Sequence, residues 1–447
     1  MYNSYLIIGS ARSGLAAAKY LMALGKKVYL TDMNLSLLSQ AMNSLPNLPV
    51  ENFIFGKQPK ISKLGVEAVI ISPGIPLSIS PIIEAANLNI AVLGEIELAF
   101  ESTDAKIIGI TGTNGKTTTT SLVGHLIQSH NYQSPVVGNI GIPMIEVAPQ
   151  LSKNDVLVCE LSSFQLETII NFRSHIALIL NLTPDHLDRH HTLANYLEAK
   201  ANILKNQRKE DKLILNQDDS LVFSLKNRAV GEVWTISQCS EVDRGIYLKD
   251  DLLILRDEND IVLLSKNDLQ IKGKHNVENA MGAALVAYLY GVSIEKIIER
   301  MKTFQGVSHR MEFVANIDNI TYINDSKGTN PDATIKALES YNKPIVLILG
   351  GKNKGSDFTD LIKLAKEKCR HVVVLGETRP LIVDALNKIG DIEYSECTNF
   401  EESVHIARQQ AKNGDIVLLS PACASWDMFK SFEERGELFK KVVKEFE

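Results

Sequence analysis

The sequence predicts an α/β protein with three domains, and three observations support this fold class. Short apolar runs typical of buried parallel strands alternate along the chain with helical segments. Several of these runs end in glycine-rich or polar loops, the places where parallel sheets bind ligands. The length of 447 residues is enough for about two to four domains, each with its own core. We expect domains at 1–100, 101–307 and 308–447.

The first domain begins like a Rossmann fold. Strand Tyr5–Ile8, the turn Gly9–Gly14, a helix, strand Val28–Leu30 and then Asp32 follow one another as in a βαβ unit. Ala11 replaces the middle glycine of the dinucleotide fingerprint, so two ligands stay open. One is NAD, and the other is a different nucleotide diphosphate whose ribose or uracil reaches Asp32.

A second loop of the first domain is also a candidate binding element. Strand Ala68–Ile71 ends in the rigid turn Ser72–Pro76, which lies at the carboxyl end of a predicted parallel strand. This turn is either a ligand contact or a purely structural turn.

The central domain contains the most informative stretch, Thr111–Thr118, which follows the apolar strand Ile107–Ile110 and leads into a predicted helix at Thr117–His130. A glycine-rich turn at a helix start presents backbone N–H groups to phosphate. Gly112 and Gly115 allow close backbone approach, Lys116 supplies a cation, and Thr117 can place a hydroxyl on magnesium. The strict phosphate-loop pattern, Gly-x4-Gly-Lys-[Ser/Thr], has a glycine where this chain has Ile110. The physical requirements for phosphate binding are met by the other residues. We predict a phosphate loop for a nucleoside triphosphate.

Polar residues after two further strands are candidate ligands. Glu160 follows an apolar strand, and it is either a magnesium ligand or a helix cap. His186 follows another strand and is either a solvated loop residue or a magnesium or substrate contact. Lys200 lies in a helical segment, and nothing in the sequence distinguishes it from an exposed helix lysine. His275 and Asn276 lie in the first turn of an Ala-rich helix, and Asn279 lies one turn on. Capping explains one of these three polar residues, and the presence of three favours a ligand.

The third domain repeats the α/β pattern. Three apolar runs end in polar loops, and Pro331 at a first helical position with Asn330 as N-cap predicts a helix start.

Composition excludes several classes of protein. With 45% hydrophobic residues, 22% charged residues and a net charge of -6, nothing indicates binding to nucleic acid or to an anionic membrane. No apolar stretch approaches the ~18 residues that span a bilayer, and the N-terminus lacks a basic segment, so we expect a cytoplasmic protein. The five cysteines lack zinc or disulfide spacing.

Together the motifs resemble the Mur ligase family over the whole chain. The phosphate loop is shared by the family in general. Four other segments resemble the members that add D-glutamate, and they are Glu160–Glu167, Asn324–Thr334, Ser420–Ser425 and Phe429–Gly436.

The resemblance implies an ATP-dependent ligase with magnesium as cofactor. Its substrates would be UDP-N-acetylmuramoyl-L-alanine and D-glutamate, joined through an acyl phosphate, and we expect a monomer. The implied catalytic residues are Lys116, Glu160, His186, Lys200 and Arg310. The implied metal ligands are Thr117, Glu160, His186 and Lys200, with Lys200 carbamylated by carbon dioxide.

The resemblance also assigns the substrate contacts. The ATP contacts are Gly112, Thr113, Asn114, Gly115, Lys116, Thr117, Thr118, Asn276, Asn279, Arg310 and Asp325. The UDP-sugar contacts are Ser13, Asp32, Ser72, Gly74, Asn139 and His186. The D-glutamate contacts are Lys327, Thr329, Lys354, Ser425 and Phe432. The chain departs from the family pattern at Asn34, where some relatives carry arginine, and at Trp426, where they carry leucine.

Other functions stay open from the sequence. One is a Mur-type or folate polyglutamate ligase that adds a different amino acid. Others are a nicotinamide-dependent oxidoreductase on the first domain and a nucleotide-binding switch without catalysis on the second. Since the ATP and D-glutamate contacts are split between the second and third domains, we also expect domain closure on ATP binding.

Overall fold

Three separate β-sheets organise the chain, each built from its own segment. The computed structural model describes residues 2–353 and 355–446. The predicted α/β class is confirmed, because strands and helices alternate and most strand pairs are parallel. None of the helices within the described ranges is both long and apolar enough to cross a bilayer.

The first sheet has five parallel strands in the order β3-β2-β1-β4-β5. Its strands are β1 Ser4–Ile8, β2 Lys27–Asp32, β3 Phe53–Phe55, β4 Ala68–Ile71 and β5 Ala91–Gly94. Its helices are α1 Arg12–Ala23, α2 Leu38–Ser44, α3 Ser80–Asn87 and α4 Glu95–Phe100. This Rossmann-like order places a ligand-binding crevice outside the carboxyl ends of β1 and β4, where the strand order reverses.

The central sheet has nine strands in the order β14-β13-β12-β11-β10-β9-β6-β8-β7. Its strands are β6 Lys106–Thr111, β7 Val136–Gly138, β8 Val156–Glu160, β9 Ile176–Ile179, β10 Lys212–Asn216, β11 Glu232–Ser237, β12 Gly245–Lys249, β13 Leu252–Arg256 and β14 Asp260–Ser265. Its helices are α5 Lys116–Ile127, α6 Met144–Val147, α7 Ser163–Leu166, α8 Leu187–His190, α9 Leu193–Ala201, α10 Ser220–Ser224, α11 Lys274–Tyr290 and α12 Ile294–Thr303. The strands from β7 to β12 are parallel, and β13 and β14 add an antiparallel edge.

The third sheet has six strands in the order β15-β16-β20-β17-β18-β19, and only the edge strand β15 is antiparallel. Its strands are β15 Glu312–Ile317, β16 Ile320–Asn324, β17 Ile345–Gly350, β18 Cys369–Leu375, β19 Tyr394–Glu396 and β20 Ile416–Leu419. Its helices are α13 Pro331–Glu339, α14 Thr359–Lys368, α15 Arg379–Ile389, α16 Phe400–Gln410 and α17 Phe432–Lys444.

One predicted helix terminus agrees with the structure and another does not. Asn330 caps α13 by accepting a hydrogen bond from the N–H of Ala333 at 2.8 Å, which confirms that predicted start. The sequence also predicts that α5 continues to His130, and this is wrong. The helix ends at Ile127 because Gln128 adopts an extended ψ of 133°.

The cores of the first two units are continuous, whereas the third unit has its own. One apolar cluster includes Tyr5 of β1, Ile96 of α4, and Ile107 of β6. The third sheet is covered on its two faces by separate clusters, around Leu347 on one face and Val346 on the other. The first two units therefore share buried apolar surface, whereas the third unit is built on clusters of its own.

A buried carboxyl group lies at the junction of the first two units. Glu95 begins α4, is 2% exposed, and accepts a hydrogen bond from the N–H of Ile145 at 2.6 Å through Oε1. Its Oε2 is buried without a hydrogen-bond partner among the described residues. Burial, with a smaller effect of nearby Glu146, raises the pKa of Glu95 from 4.5 to about 7.

This pKa predicts a pH-dependent stability. Between pH 4.5 and about 7 the folded protein holds a proton on Glu95 that the unfolded chain has released, so the free energy of unfolding falls as pH rises through this window. We expect Glu95→Gln to abolish this fall in the free energy of unfolding, which amounts to about 3 kcal/mol in the wild type. Denaturant unfolding at pH 5 and pH 8 measures it, with the exposed Glu101→Gln as control. Equal pH dependence in wild type and Glu95→Gln would contradict the assignment.

Candidate active site

The phosphate loop lies at the carboxyl edge of the central sheet, between β6 and α5. Asn181, which follows β9, holds this loop from the side. Its Oδ1 accepts a hydrogen bond from the N–H of Asn114 at 2.8 Å, and its Nδ2 donates to the Asn114 carbonyl at 3.2 Å. The loop is thus shaped by the neighbouring strand as well as by its own glycines.

Both glycines of the loop are required by the backbone. Gly112 has a φ of 152° and Gly115 a φ of 81°, conformations that other residues rarely adopt. A Cβ atom on Gly115 would collide with Oδ1 of Asn279 in α11. The close packing of α5 against α11 therefore depends on glycine at this position.

Two lysines converge on one carbonyl of the loop. Lys116 donates to the Gly112 carbonyl at 2.9 Å and to the Thr113 carbonyl at 2.8 Å. Lys200 donates to the same Gly112 carbonyl at 2.7 Å. Their amino groups are therefore neighbours, although the residues lie on different helices.

The interpretation of Lys200 as an exposed helix lysine is wrong. The residue is 1% exposed, and its Nζ lies 4.4 Å from the ring centroid of Tyr196, one helical turn earlier on α9. Burial in the first place, and then the charge of Lys116, hold the pKa of Lys200 well below its usual range. This environment favours the neutral amine over the ammonium form.

Glu160 is the last residue of β8, and its carboxylate is only half satisfied. Oε1 accepts a hydrogen bond from Asn139 Nδ2 at 2.8 Å. Oε2 is buried and has no partner in the described part of the chain. An unpaired buried carboxylate oxygen is costly unless a cation or donor meets it, so this atom favours a ligand role over the helix-cap interpretation.

A cavity of about 170 Å³ brings together residues from both the second and the third unit. It is lined by Thr113, Asn114, Gly115, Lys116, Thr117, Asn139, Glu160, Asp185, His186, Arg310, Lys327, Thr329, Asn330, Ala333 and Phe432. Residues expected to contact phosphate, metal, acceptor and amino acid therefore share one space.

A second, much smaller cavity lies beside it, where the resemblance implies the nucleoside. It has a volume of about 20 Å³ and is lined by Asn279, Arg310, Asp325 and Lys336, among others. Asn279 is tied to its neighbours, since its Oδ1 accepts from Thr119 at 3.2 Å and its Nδ2 donates to Asn276 at 3.1 Å.

Charged groups of the third unit are buried around these cavities. Burial raises the pKa of Asp325 to about 6, against the lowering effect of Arg310, and Ser420 donates to its Oδ2 at 2.7 Å. Burial lowers the pKa of Lys327 to about 8, while the nearby carboxylate of Glu160 raises it. Arg310 Nε is buried without a partner among the residues described. Lys327 and Arg310 form a cationic wall opposite the phosphate loop.

The expected D-glutamate contacts are partly assembled. Lys327 Nζ lies 5.2 Å from the ring centroid of Phe432, and Thr329 lines the same cavity. Ser425 is buried in the loop after β20. Lys354 lies outside the described residues.

The expected UDP-sugar contacts lie mainly at the carboxyl edge of the first sheet. Asp32 Oδ2 accepts from both the N–H and the hydroxyl of Ser10 at 2.8 Å, and its Oδ1 accepts from the N–H of Asn34 at 2.8 Å. Ser72 donates to the Gly9 carbonyl at 3.3 Å. Gly74 is exposed, and Ser13 lies half-exposed in the first turn of α1.

His186 and Asn139 reach the site from the central unit. His186 adopts a left-handed φ of 54°, lies 3.7 Å from Asp185 through Nε2, and packs edge-on against Phe164. Asn139 and His186 both line the larger cavity with Glu160. Within residues 2–353 and 355–446 no three His, Cys, Asp or Glu side chains cluster as a metal site. A metal here would need other donors, such as a hydroxyl.

Sequence reasoning missed Asn181 and Tyr196 as supports of the site. Asn181 lies two positions after the end of buried strand β9, near the same edge of the sheet as Glu160 and His186. Tyr196 precedes Lys200 by four residues on one helix, a spacing that places the two side chains on the same face.

Comparison with known proteins gives a consistent result. A family profile described as the Mur ligase middle domain matches residues 110–287, and one described as the Mur ligase glutamate ligase domain matches residues 309–423. The UDP-N-acetylmuramoylalanine–D-glutamate ligase of Pelotomaculum thermopropionicum is 45% identical, with 98% of this chain and 96% of the relative covered. The enzyme of the same name from Clostridioides difficile is 44% identical, with 98% and 97% covered.

Solved structures share the fold at low identity. The UDP-N-acetylmuramate-alanine ligase of Thermotoga maritima superposes with a TM-score of 0.62 at 18% identity, covering both chains completely. A pseudomurein peptide ligase from Methanothermus fervidus gives a TM-score of 0.59 at 17% identity, again with both chains covered completely. These two likenesses establish the three-unit fold.

Proposed function

The chain belongs to the Mur ligase family, and we propose that it is the ATP-dependent ligase that joins D-glutamate to UDP-N-acetylmuramoyl-L-alanine in peptidoglycan synthesis. The observation that carries this function is the 170 Å³ cavity, in which the phosphate loop, Glu160 and the basic residues of the third unit face one another. An amide cannot form from a carboxylate and an ammonium ion without activation, and this cavity combines the groups that activation requires.

The proposed reaction has two stages, activation of the acceptor and formation of the amide. A carboxylate oxygen of the acceptor attacks the γ-phosphorus of ATP, the bond to the bridging oxygen breaks, and ADP leaves. The ammonium group of D-glutamate loses one proton to solvent, and the neutral amine attacks the acyl carbon of the acyl phosphate. The tetrahedral intermediate loses a second proton from its nitrogen and expels inorganic phosphate, which leaves the amide.

Lys116 and Arg310 are the cations placed to stabilise the charge on the transferring phosphoryl group. Both line the cavity, from opposite sides of the cleft between the second and third units. Preorganised cations in a partly buried site stabilise a developing charge more strongly than the same groups in water do. The backbone N–H groups at the start of α5 bind the phosphates from below.

The residues present fit magnesium. Buried Glu160 Oε2 without a described partner and the buried Thr117 hydroxyl supply oxygen donors, which this hard cation prefers. We propose Thr117, Glu160, His186 and Lys200 as its ligands. When bound, magnesium neutralises phosphate charge and polarises the phosphoryl oxygens.

Lys200 becomes an oxygen donor by carbamylation. A neutral amine adds to carbon dioxide, forming a C–N bond and releasing one proton, and the product is an anionic carbamate. The lowered pKa of Lys200 favours the neutral amine that this step needs. The product carries a negative charge, which the neighbouring Lys116 ammonium attracts.

The two substrates approach from different units. The carboxyl edge of the first sheet, with Asp32 and Ser72, binds the UDP portion of the acceptor. Lys327, Thr329, Ser425 and Phe432, with Lys354, bind D-glutamate, since cations and hydroxyls suit its two carboxylates. We propose that the enzyme acts as a cytoplasmic monomer.

Trp426 gives an optical test of the amino-acid site. It follows Ser425 and is 64% exposed, whereas Trp234, the other tryptophan of the chain, is 1% exposed. We expect acrylamide to quench mainly Trp426, and D-glutamate, added with acceptor and an ATP analogue, to protect it. Trp426→Leu serves as control, because it removes the quenchable signal. Unchanged quenching on D-glutamate addition would place the amino acid elsewhere.

The decisive experiment measures phosphate release from ATP and magnesium in the presence of UDP-N-acetylmuramoyl-L-alanine. D-glutamate, L-glutamate and other amino acids are compared. Release with D-glutamate alone supports the proposed reaction and its specificity. Release with a different amino acid moves the chain to a sibling ligase, and ATP binding without release under any condition indicates a nucleotide-binding protein without ligase activity.

A further inference from the structure

One carboxylate of the third unit reaches across to the phosphate loop. Asp332 lies in the first turn of α13, and its Oδ2 accepts hydrogen bonds from Asn114 Nδ2 and, at 3.0 Å, from Thr183 Oγ1. Lys336, one turn further along α13, completes the group with Nζ 3.1 Å from the same oxygen. Three donors from two units thus meet at one oxygen atom.

The central-unit partners of Asp332 belong to the phosphate loop and its support. The N–H of Thr183 donates to Thr113 Oγ1 at 3.0 Å, and Thr113 Oγ1 donates in turn to the Thr183 carbonyl at 3.2 Å. Asn114 is held by Asn181 through two hydrogen bonds. A group bonded to Asn114 and Thr183 is therefore fixed relative to the phosphate loop.

The described hydrogen bonds that join α13 and its N-cap to the central unit come from two residues, Asp332 and Asn330. The buried apolar clusters of the third unit contain no residue of the central unit. Besides Asp332, Asn330 donates to Asp185 Oδ2 at 3.2 Å. Of these two residues, Asp332 is the one with a described hydrogen bond to the phosphate loop.

We propose that Asp332 is a positioning residue, a latch that fixes α13 to the phosphate loop and thereby aligns the basic residues of the third unit with it. The proposal rests on the proposed ligase function. Lys327 and Thr329 lie on the loop that leads into α13, so a shift of this helix moves them against Lys116. A misplacement of about 1 Å between reacting groups can cost about a hundredfold in rate.

Asp332 lies in the first turn of α13, and the cavity of about 20 Å³ lies between this helix and α11. Release of Asp332 from Asn114 and Thr183 would let α13 move away from α11 and enlarge this cavity.

Steady-state kinetics test the role. We expect Asp332→Ala to lower kcat about tenfold or more, with the KM for the UDP-linked acceptor changed less than about twofold. Asp332→Asn keeps the size of the side chain but presents a weaker hydrogen-bond acceptor. Its kcat is expected to lie between those of Asp332→Ala and the wild type. Glu339→Ala is the matched control, since it removes an exposed acidic residue from the same helix. A wild-type kcat in Asp332→Ala overturns the proposal.

A double-mutant cycle separates a latch from general loss of helix stability. Thr183→Val deletes the hydroxyl that donates to Asp332 and is expected to lower kcat about threefold alone. In the Asp332→Ala background it is expected to have no further effect, because the bond is already gone. If the double variant instead loses kcat by the product of the two single effects, the proposal is overturned.

Small-angle scattering of the whole protein gives a readout that does not depend on ligase activity. We expect a larger radius of gyration for Asp332→Ala than for wild type and for Glu339→Ala, and a return towards wild type with a non-hydrolysable ATP analogue and magnesium. Equal radii for all three proteins overturn the latch. A wild-type enzyme inactive with every amino acid would instead contradict the proposed function, and the scattering comparison still decides the latch.

Discussion

Replacement of Lys116 by alanine is expected to lower kcat about a thousandfold while the protein still folds. Lys116 donates to the Gly112 and Thr113 carbonyls of its own loop. The loop keeps the two bonds from Asn181, so its shape does not depend on the lysine. We therefore expect the substitution to lower kcat and to leave the fold intact.

The size of the effect follows from charge stabilisation. Removal of one preorganised donor from such a site commonly costs about 10²–10³ in kcat, or about 3–4 kcal/mol in the activation free energy. Phosphate release from saturating substrates measures kcat, and circular dichroism with thermal unfolding measures folding. Lys153→Ala, at an exposed lysine of the central unit, is the control. Near-wild-type turnover of Lys116→Ala would rule out the phosphate-loop assignment.

Replacement of Lys200 by alanine is expected to abolish ligation and to be rescued in part by short-chain carboxylic acids. If the residue acts as a carbamate, it supplies an anionic oxygen, which a small carboxylate can replace in the space left by the side chain. An amine acting as a cation would not be replaced by an anion. Rescue by acetate or propionate therefore distinguishes the two roles.

Lys200→Arg is the matched variant for this test. It keeps a cation of similar length, but a guanidinium stays protonated and forms no carbamate. We expect Lys200→Arg to be inactive, with no rescue because the cavity stays filled, and wild-type activity to fall when carbon dioxide is removed from the buffer. Retained activity in Lys200→Ala without any carboxylate would show that the lysine is not a ligand.

The fold class was predictable because its signals are local. Apolar runs such as Ile107–Ile110 and Ala68–Ile71 are long enough only for strands, and their alternation with helices leaves few topologies other than parallel α/β sheets. The phosphate loop was predictable for the same reason, since strand, glycines, lysine and helix lie within one short segment. The antiparallel strands β13 and β14 were not predicted, because a hairpin at a sheet edge has no motif of this kind.

The candidate site was only partly predictable. Glu160 and His186 could be selected because each follows an apolar strand, and strand ends of a parallel sheet meet at one edge. The sequence around Lys200 predicts an exposed lysine on a helix, and only the resemblance to a known family indicated a different role. The structure places it 1% exposed against the Gly112 carbonyl.

The sequence by itself thus determined the α/β class, the phosphate loop and the ends of strands at which ligands bind. Only the tertiary structure decided which side chains meet there. Lys200 and Gly112 are 88 positions apart, and Asn114 and Asp332 are 218 positions apart. Periodicity and turn chemistry act over a few residues, whereas these contacts arise from how whole sheets and helices pack, and burial, pKa and hydrogen-bond partners are set by that packing.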